Sequence, residues 1–135
     1  MIVVLDASAG IEIGLGRDNS QKYKELIEQA SKVITSDLYK AEVTNVLWKY
    51  VKAKLFTKDV ALQRLQYCLN LVDEYIDITD NNQESLIESI RIDHSVYDVL
   101  YLTIARRNGA ILLTQDKRLK DVAKEQGIEI IEAVP

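Results

Sequence analysis

The chain has 135 residues, 47 % of them hydrophobic and 28 % charged, with a net charge of −4. A chain of that length is expected to form a single domain, residues 1–135, with a core large enough to fold without disulfides or a structural metal. One cysteine, Cys68, and one histidine, His94, exclude an internal disulfide and a Cys/His zinc cluster. No apolar run is long enough to cross a bilayer. Residues 1–5, followed at once by Asp6, lack the basic and apolar regions of a signal peptide. A cytoplasmic location with no membrane partner is therefore expected. The acidic balance disfavours a polyanionic partner on charge alone. Net charge is silent on local clusters, however, and carboxylates that hold divalent cations reverse the field around them.

Short β-branched runs alternate with longer helical patterns, which predicts an α/β sandwich around a mostly parallel sheet. Residues 2–5 form a buried first strand, followed by a short helix from Ala7 that Gly10, Gly14 and Gly16 weaken. A helix over 20–31 leads to a second strand at 32–35. Ser36 is a plausible N-cap for a long helix to about Ala53, with Val43, Val46, Leu47, Tyr50 and Val51 at helical spacing. Another helix runs from Lys58 to about Glu74, with Leu62, Leu65, Leu69 and Val72 on one face. A strand at 75–78 and a helix at 81–91 follow. The mostly apolar helix over 97–107 ends before Gly109, a good C-cap. The pattern closes with a strand at 111–113, a helix at 117–126 stopped by Gly127, and a last strand at 128–131.

This topology gathers acids that lie far apart in sequence. Ligands of open parallel sheets bind outside the carboxyl ends of the strands. Asp6 directly follows the first strand, and Asp116 follows the 111–113 strand by three residues. The helix feeding that strand runs the opposite way, which puts Asp98, in its first turn, at the same edge. Glu42 lies one to two turns into the helix after the second strand, roughly 6–9 Å along its axis. Each acid also has a plain structural explanation. Asp6 and Asp116 are good N-caps, Ser95 to Asp98 fits a capping box, and Glu42 suits the first turns of a helix. As a set they repel one another and are driven to take up protons or cations. Hard oxygen donors at that density favour Mg²⁺ or Mn²⁺ over zinc.

Four segments then resemble a known family: residues 3–8 around Asp6, 41–47 around Glu42, 97–105 around Asp98, and 113–119 around Asp116. They resemble the PIN-domain ribonucleases, and more narrowly the VapC-type toxins of toxin–antitoxin pairs, over essentially the whole chain. The resemblance implies a three-layer α/β/α sandwich with a parallel sheet. Its acidic quartet falls on Asp6, Glu42, Asp98 and Asp116, with Ser8, Asn45 and Thr114 as supporting polar groups. It implies a metal-dependent endoribonuclease that hydrolyses RNA, using Mg²⁺ or Mn²⁺, with Asp6 and Asp98 foremost as ligands. It also implies a homodimer and a cognate antitoxin. An RNA-processing nuclease without an antitoxin and a non-catalytic PIN-like binding module are the competing readings. The glycine-rich stretch from Gly10 to Gly16 departs from the family pattern.

The remaining reactive side chains are read from position alone. His94 suits a loop or capping role better than a phosphate contact, and Cys68 suits a buried core position. Lys117 and Arg118 adjoin Asp116 and are the better RNA contacts, whereas Arg106 and Arg107 lie at the far end of their helix. Tyr50, Leu55, Tyr67 and Leu71 are candidates for a dimer interface, though core packing explains them equally well. An aspartyl-phosphate phosphatase also starts with a strand and an Asp, but needs a second Asp where this chain has Ser8.

Overall fold

The computed structural model describes residues 1–132. In chain order the strands are β1 (Ile2–Leu5), β2 (Lys32–Ser36), β3 (Glu74–Ile76) and β4 (Ile111–Leu113). The helices are α1 (Ala7–Gly14), α2 (Ser20–Gln29), α3 (Leu38–Lys52), α4 (Lys58–Asn70), α5 (Asn82–Ile92), α6 (Val96–Asn108) and α7 (Lys117–Glu125). The strands form one sheet in the order β3-β2-β1-β4, and every pairing is parallel. Val3 faces Val33 on one side and Ile111 on the other.

Successive strand residues point to opposite faces. Val3, Val4 and Leu5 are all 0 % exposed, so helices cover both faces of the sheet, as in an all-parallel sheet generally. The result is the three-layer α/β/α sandwich expected of the sequence. Helices α1 to α4 pack on one another, while α6 lies against β1, β2 and β4 and carries α5 and α7.

Several boundaries move. The last strand is reduced to a single bridge, Leu112 to Ile130, supported by the Leu112 N–H on the Glu129 carbonyl (2.9 Å). Ser36 ends β2 and Asp37 is the helix-capping position, although the Ser36 hydroxyl still accepts from the Leu38 N–H (3.2 Å). Helix α4 stops at Asn70, well short of Glu74, because β3 needs residues 74–76 to pair with β2.

The glycines of α1 do not break it. Gly10 and Gly14 are buried, and their missing side chains make room for neighbouring helices. A methyl group on Gly10 would lie 2.7–2.8 Å from ring carbons of Tyr39 on α3, and one on Gly14 would collide with the Cys68 sulfur on α4. Tyr39 itself is 0 % exposed and donates its hydroxyl to the Cys68 carbonyl (2.8 Å), so it has nowhere to retreat. Cys68 is therefore a packing residue, as its sequence position implied. Alanine normally stabilises a helix by up to about 1 kcal/mol over glycine. At position 10 the clash reverses the sign. Gly10→Ala is expected to lose about 1–3 kcal/mol of stability, measured by urea unfolding; a variant as stable as the parent would mean that Tyr39 can move.

Candidate active site

All strands end at one edge; the chain steps outward from β1 to β2 and β3, then crosses back to set β4 on the other side of β1. The crevice between β1 and β4 is thus a topological switch point, the usual ligand site of such sheets. Asp6 stands in it. Its backbone N–H completes the β1–β4 ladder on the Leu113 carbonyl (3.1 Å), and its carboxylate caps α1. Oδ1 accepts from the Ala9 N–H (2.9 Å) and from the Ser8 hydroxyl (2.6 Å). Asp6 is 4 % exposed. Burial pushes its carboxyl from an ordinary 3.8 up to about 6, against the lowering pull of Ser8, Thr114 and Ala9 and with a further push from the charge of Asp98.

Glu42 and Asp98 come in from different helices. Glu42, half-buried on α3, accepts a 2.6 Å hydrogen bond at Oε1 from the Tyr101 hydroxyl of α6. Burial raises the Glu42 carboxyl, Tyr101 lowers it, and the charge of Asp98 raises it again. Burial, then the Glu42 carboxylate, pushes the Tyr101 phenol far above its usual range, so Tyr101 stays a donor. Asp98, in the first turn of α6, bonds His94 Nε2 through Oδ2 (2.9 Å). The capping hydroxyl of Ser95 takes the Tyr97 N–H (3.3 Å), while the Asp98 carboxylate turns to His94.

Of the expected quartet, Asp98 thus bears electrostatically on both Asp6 and Glu42. Asp116 is exposed, with Oδ1 accepting from the Leu119 N–H (2.9 Å) as N-cap of α7. Thr114 and Ser8 hold that loop against the site. Thr114 Oγ1 accepts from the Asp116 N–H (3.0 Å), and Ser8 Oγ accepts from the Gln115 N–H (2.8 Å). Asn45, one turn beyond Glu42, is exposed on the wall of a cleft and hydrogen-bonds none of the acids; the donor to Glu42 is Tyr101 instead. His94 lies in the loop between α5 and α6, as expected, and it is turned inward. Its side chain is 4 % exposed, Nε2 faces Asp98, and buried Nδ1 has no protein partner. Lys117 and Arg118 are exposed beside Asp116, with Arg118 donating to the Asp93 carbonyl (2.7 Å).

The PIN domain family model matches residues 3–125. The chain belongs to the PIN domain family. This PIN domain is 28 % identical over 126 residues to Ribonuclease VapC3 of Pyrobaculum aerophilum, an alignment spanning 90 % of this chain and 94 % of the relative. It is similar in structure to PAE2754 from Pyrobaculum aerophilum, with a TM-score of 0.71, 25 % identity, and 96 % of this chain and 89 % of that one covered. It also shares its fold with a chain of a toxin–antitoxin complex from Klebsiella pneumoniae, at a TM-score of 0.69 and 20 % identity over 96 % of each chain.

PIN domains imply a divalent cation, and the donor set here suits one. The acids present hard oxygen atoms, and the buried Asp6 anion lacks the compensation that a cation would give. Among the described residues no group of three or more Asp, Glu, His or Cys side chains is placed to hold a metal ion.

The raised carboxyl of Asp6 has a stability consequence. The folded state holds this proton more tightly than the unfolded chain, so metal-free protein loses stability as pH rises from about 4 to about 6, with a lower plateau above. Asp6→Asn keeps a capping oxygen and removes the charge. It is expected to flatten that pH dependence and to be more stable than the parent at neutral pH, by on the order of 3 kcal/mol. Urea unfolding in EDTA at a series of pH values measures both; an undiminished slope in Asp6→Asn would assign it to another group.

Proposed function

We propose that this PIN domain is a metal-dependent endoribonuclease and the toxin of a toxin–antitoxin pair. The observation that carries the reading is the charge of Asp98 bearing on both Asp6 and Glu42, with Asp6 buried at the switch point as an under-compensated acid. The relative named Ribonuclease VapC3 and the shared fold with a chain of a toxin–antitoxin complex support the substrate class and the partner.

Asp6 and Asp98 would hold Mg²⁺ or Mn²⁺, with Glu42 and Asp116 completing the site directly or through water. Bound there, the ion supplies charge stabilisation on the phosphate and activates water for in-line attack. The chain's own residues set the stage for that chemistry. Ser8 and Ala9 fix the Asp6 carboxylate through Oδ1. Tyr101 fixes Glu42, and His94 takes one oxygen of Asp98, so the other is left to face the site. Thr114 and Ser8 hold the Asp116 loop in place. Lys117 and Arg118 supply positive charge next to Asp116. No protein nucleophile is needed.

The same reading includes a homodimer and an antitoxin. The groove between α3 and α4, walled by Trp48, Val51, Leu62 and Leu65, is a fitting apolar seat for the antitoxin, since Trp48 and Leu62 are more than half exposed at 55 % and 56 %. Of the four interface candidates, Leu55 and Tyr67 are exposed at 67 % and 42 %. Tyr50 stacks on Phe56 (ring centroids 5.2 Å apart) and Leu71 packs against the core.

Purified protein is expected to cut a mixed pool of cellular RNA with Mn²⁺ and not with EDTA. Asp98→Asn should fold and fail to cut. Metal should also raise the thermal midpoint of the parent, by mass action on the folded state, and not that of Asp98→Asn. Metal-dependent cutting retained by Asp98→Asn would sink the assignment. For the histidine, His94→Ala is expected to lose about 10–100-fold in metal affinity or activity, with His94→Gln recovering part of it. Titration of Mn²⁺ into each variant reads this without relying on turnover.

A further inference from the structure

A cleft of about 580 Å³ opens from the acid site between α1 and α3. Ser8, Glu42 and Gln115 line it together with the cations Arg17 and Lys49. Glu42, Asn45 and Lys49 all line it, at a spacing that puts them on one stripe of α3. From Glu42 to Lys49 the helix rises roughly 10 Å. That is the reach from a reacting phosphate to its near neighbours along an extended strand.

The charges are disposed in a way that net composition conceals. At the far end of α6, Arg106 and Arg107 are tied down by Glu84, and Arg106 also reaches Glu88. Around the acid site, among the described residues, Arg17, Lys49, Lys117 and Arg118 are in no ion pair. Arg17 is exposed, and its guanidinium rests over the Tyr50 ring at 5.3 Å, which holds it without neutralising it. The other acid of the cleft, Glu12, is 8 % exposed and accepts from the Asn19 N–H (2.9 Å). The molecule therefore keeps cations out of ion pairs near its carboxylates, Arg17 and Lys49 on the cleft and Lys117 and Arg118 beside Asp116.

We propose that the α1–α3 cleft holds the RNA strand beside the cut, with Arg17 and Lys49 each taking a phosphate that neighbours the scissile one. This rests on the nuclease reading above and extends it by assigning the path of the substrate. Lys117 and Arg118, beside Asp116, supply the second basic patch that such a strand meets. The cleft is open and of mixed lining, with Ser8, Asn45, Lys49 and Arg17 offering polar groups beside apolar Ile11 and Val46, which suits a nucleotide strand with both charged and apolar parts. The apolar groove on the other side of α3 has the contrasting character of a protein-binding surface.

The test is binding of a short fluorescein-labelled single-stranded oligoribonucleotide of mixed sequence, followed by anisotropy across a salt series. Asp98→Asn protein is used so that the strand is not cut. Every phosphate that a side chain no longer neutralises lowers the slope of log K against log salt by about 0.7 for single strands. Adding Arg17→Gln and Lys49→Gln together is expected to weaken binding at least tenfold and to reduce that slope by about 1.4. Arg107→Gln, at the far end of α6, should leave the slope unchanged. In otherwise wild-type protein the Arg17/Lys49 pair should raise KM with little change in kcat. RNA binding with an unchanged slope in the double variant overturns the cleft assignment and leaves an acidic protein segment as its occupant. No RNA binding by the Asp98→Asn parent, together with no cutting by wild type, overturns the nuclease reading and the cleft assignment with it.

Discussion

Strand β1 is hydrogen-bonded along both edges, to β2 and to β4, and lies under helices on both faces. That double pairing fixes where the chain can go next. The last rung of the β1–β4 ladder is donated by the Asp6 N–H, and the Thr35 hydroxyl from β2 donates to the Leu5 carbonyl. The backbone at residues 5 and 6 is therefore pinned from both sides. With the backbone pinned, the Asp6 side chain has one place to go, the crevice where the two crossovers part. Burial of that carboxylate, and the electrostatic tension around it, follow from sheet topology.

The tension is handled locally. Asp98 meets a buried histidine and Glu42 a buried tyrosine, each supplied by α6 or the turn before it. Both partners donate a hydrogen bond and leave the acid with an oxygen to spare. Helix α6 therefore serves the sheet with its apolar side and the site with His94, Asp98 and Tyr101, which fall at successive turns around its first residues. Polar donors of this kind stabilise a cluster of carboxylates without cancelling its charge, which is what a metal site needs.

Much of this was legible in sequence, and the misses have physical causes. Asp6 was legible because an acid straight after a buried β-branched run can only emerge at the end of a strand. Asp98 was legible because α6 must run antiparallel to the strand it feeds. Tyr101 was not, since its contact with Glu42 joins residues 59 positions apart on two different helices. Asn45 shares a stripe of α3 with Glu42, and shared stripes give proximity without giving a bond. His94 carried a usable signal, its place just before the Ser95 cap, from which a side chain can fold back onto Asp98 in the first turn. The shrunken last strand reflects an apolar run that also had to pack on the core, where Ile128 is buried. Glycines in α1 read as helix breakers because propensity sees only the isolated helix, whereas tertiary packing wanted the space they leave.

That space reaches further than α1. Gly10 sets how near the start of α3 can approach, and α3 forms the opposite wall of the cleft beside Glu42. The breadth of the cleft is thus gauged by a backbone position that does not line it. A lineage could broaden or narrow the channel by changing the pair at 10 and 39 in concert, a bulkier residue at one matched by a smaller ring at the other, and leave every acid in place. Divergence among such proteins in what they admit need leave no trace at the acids themselves. It would be written instead in the packing of two helices.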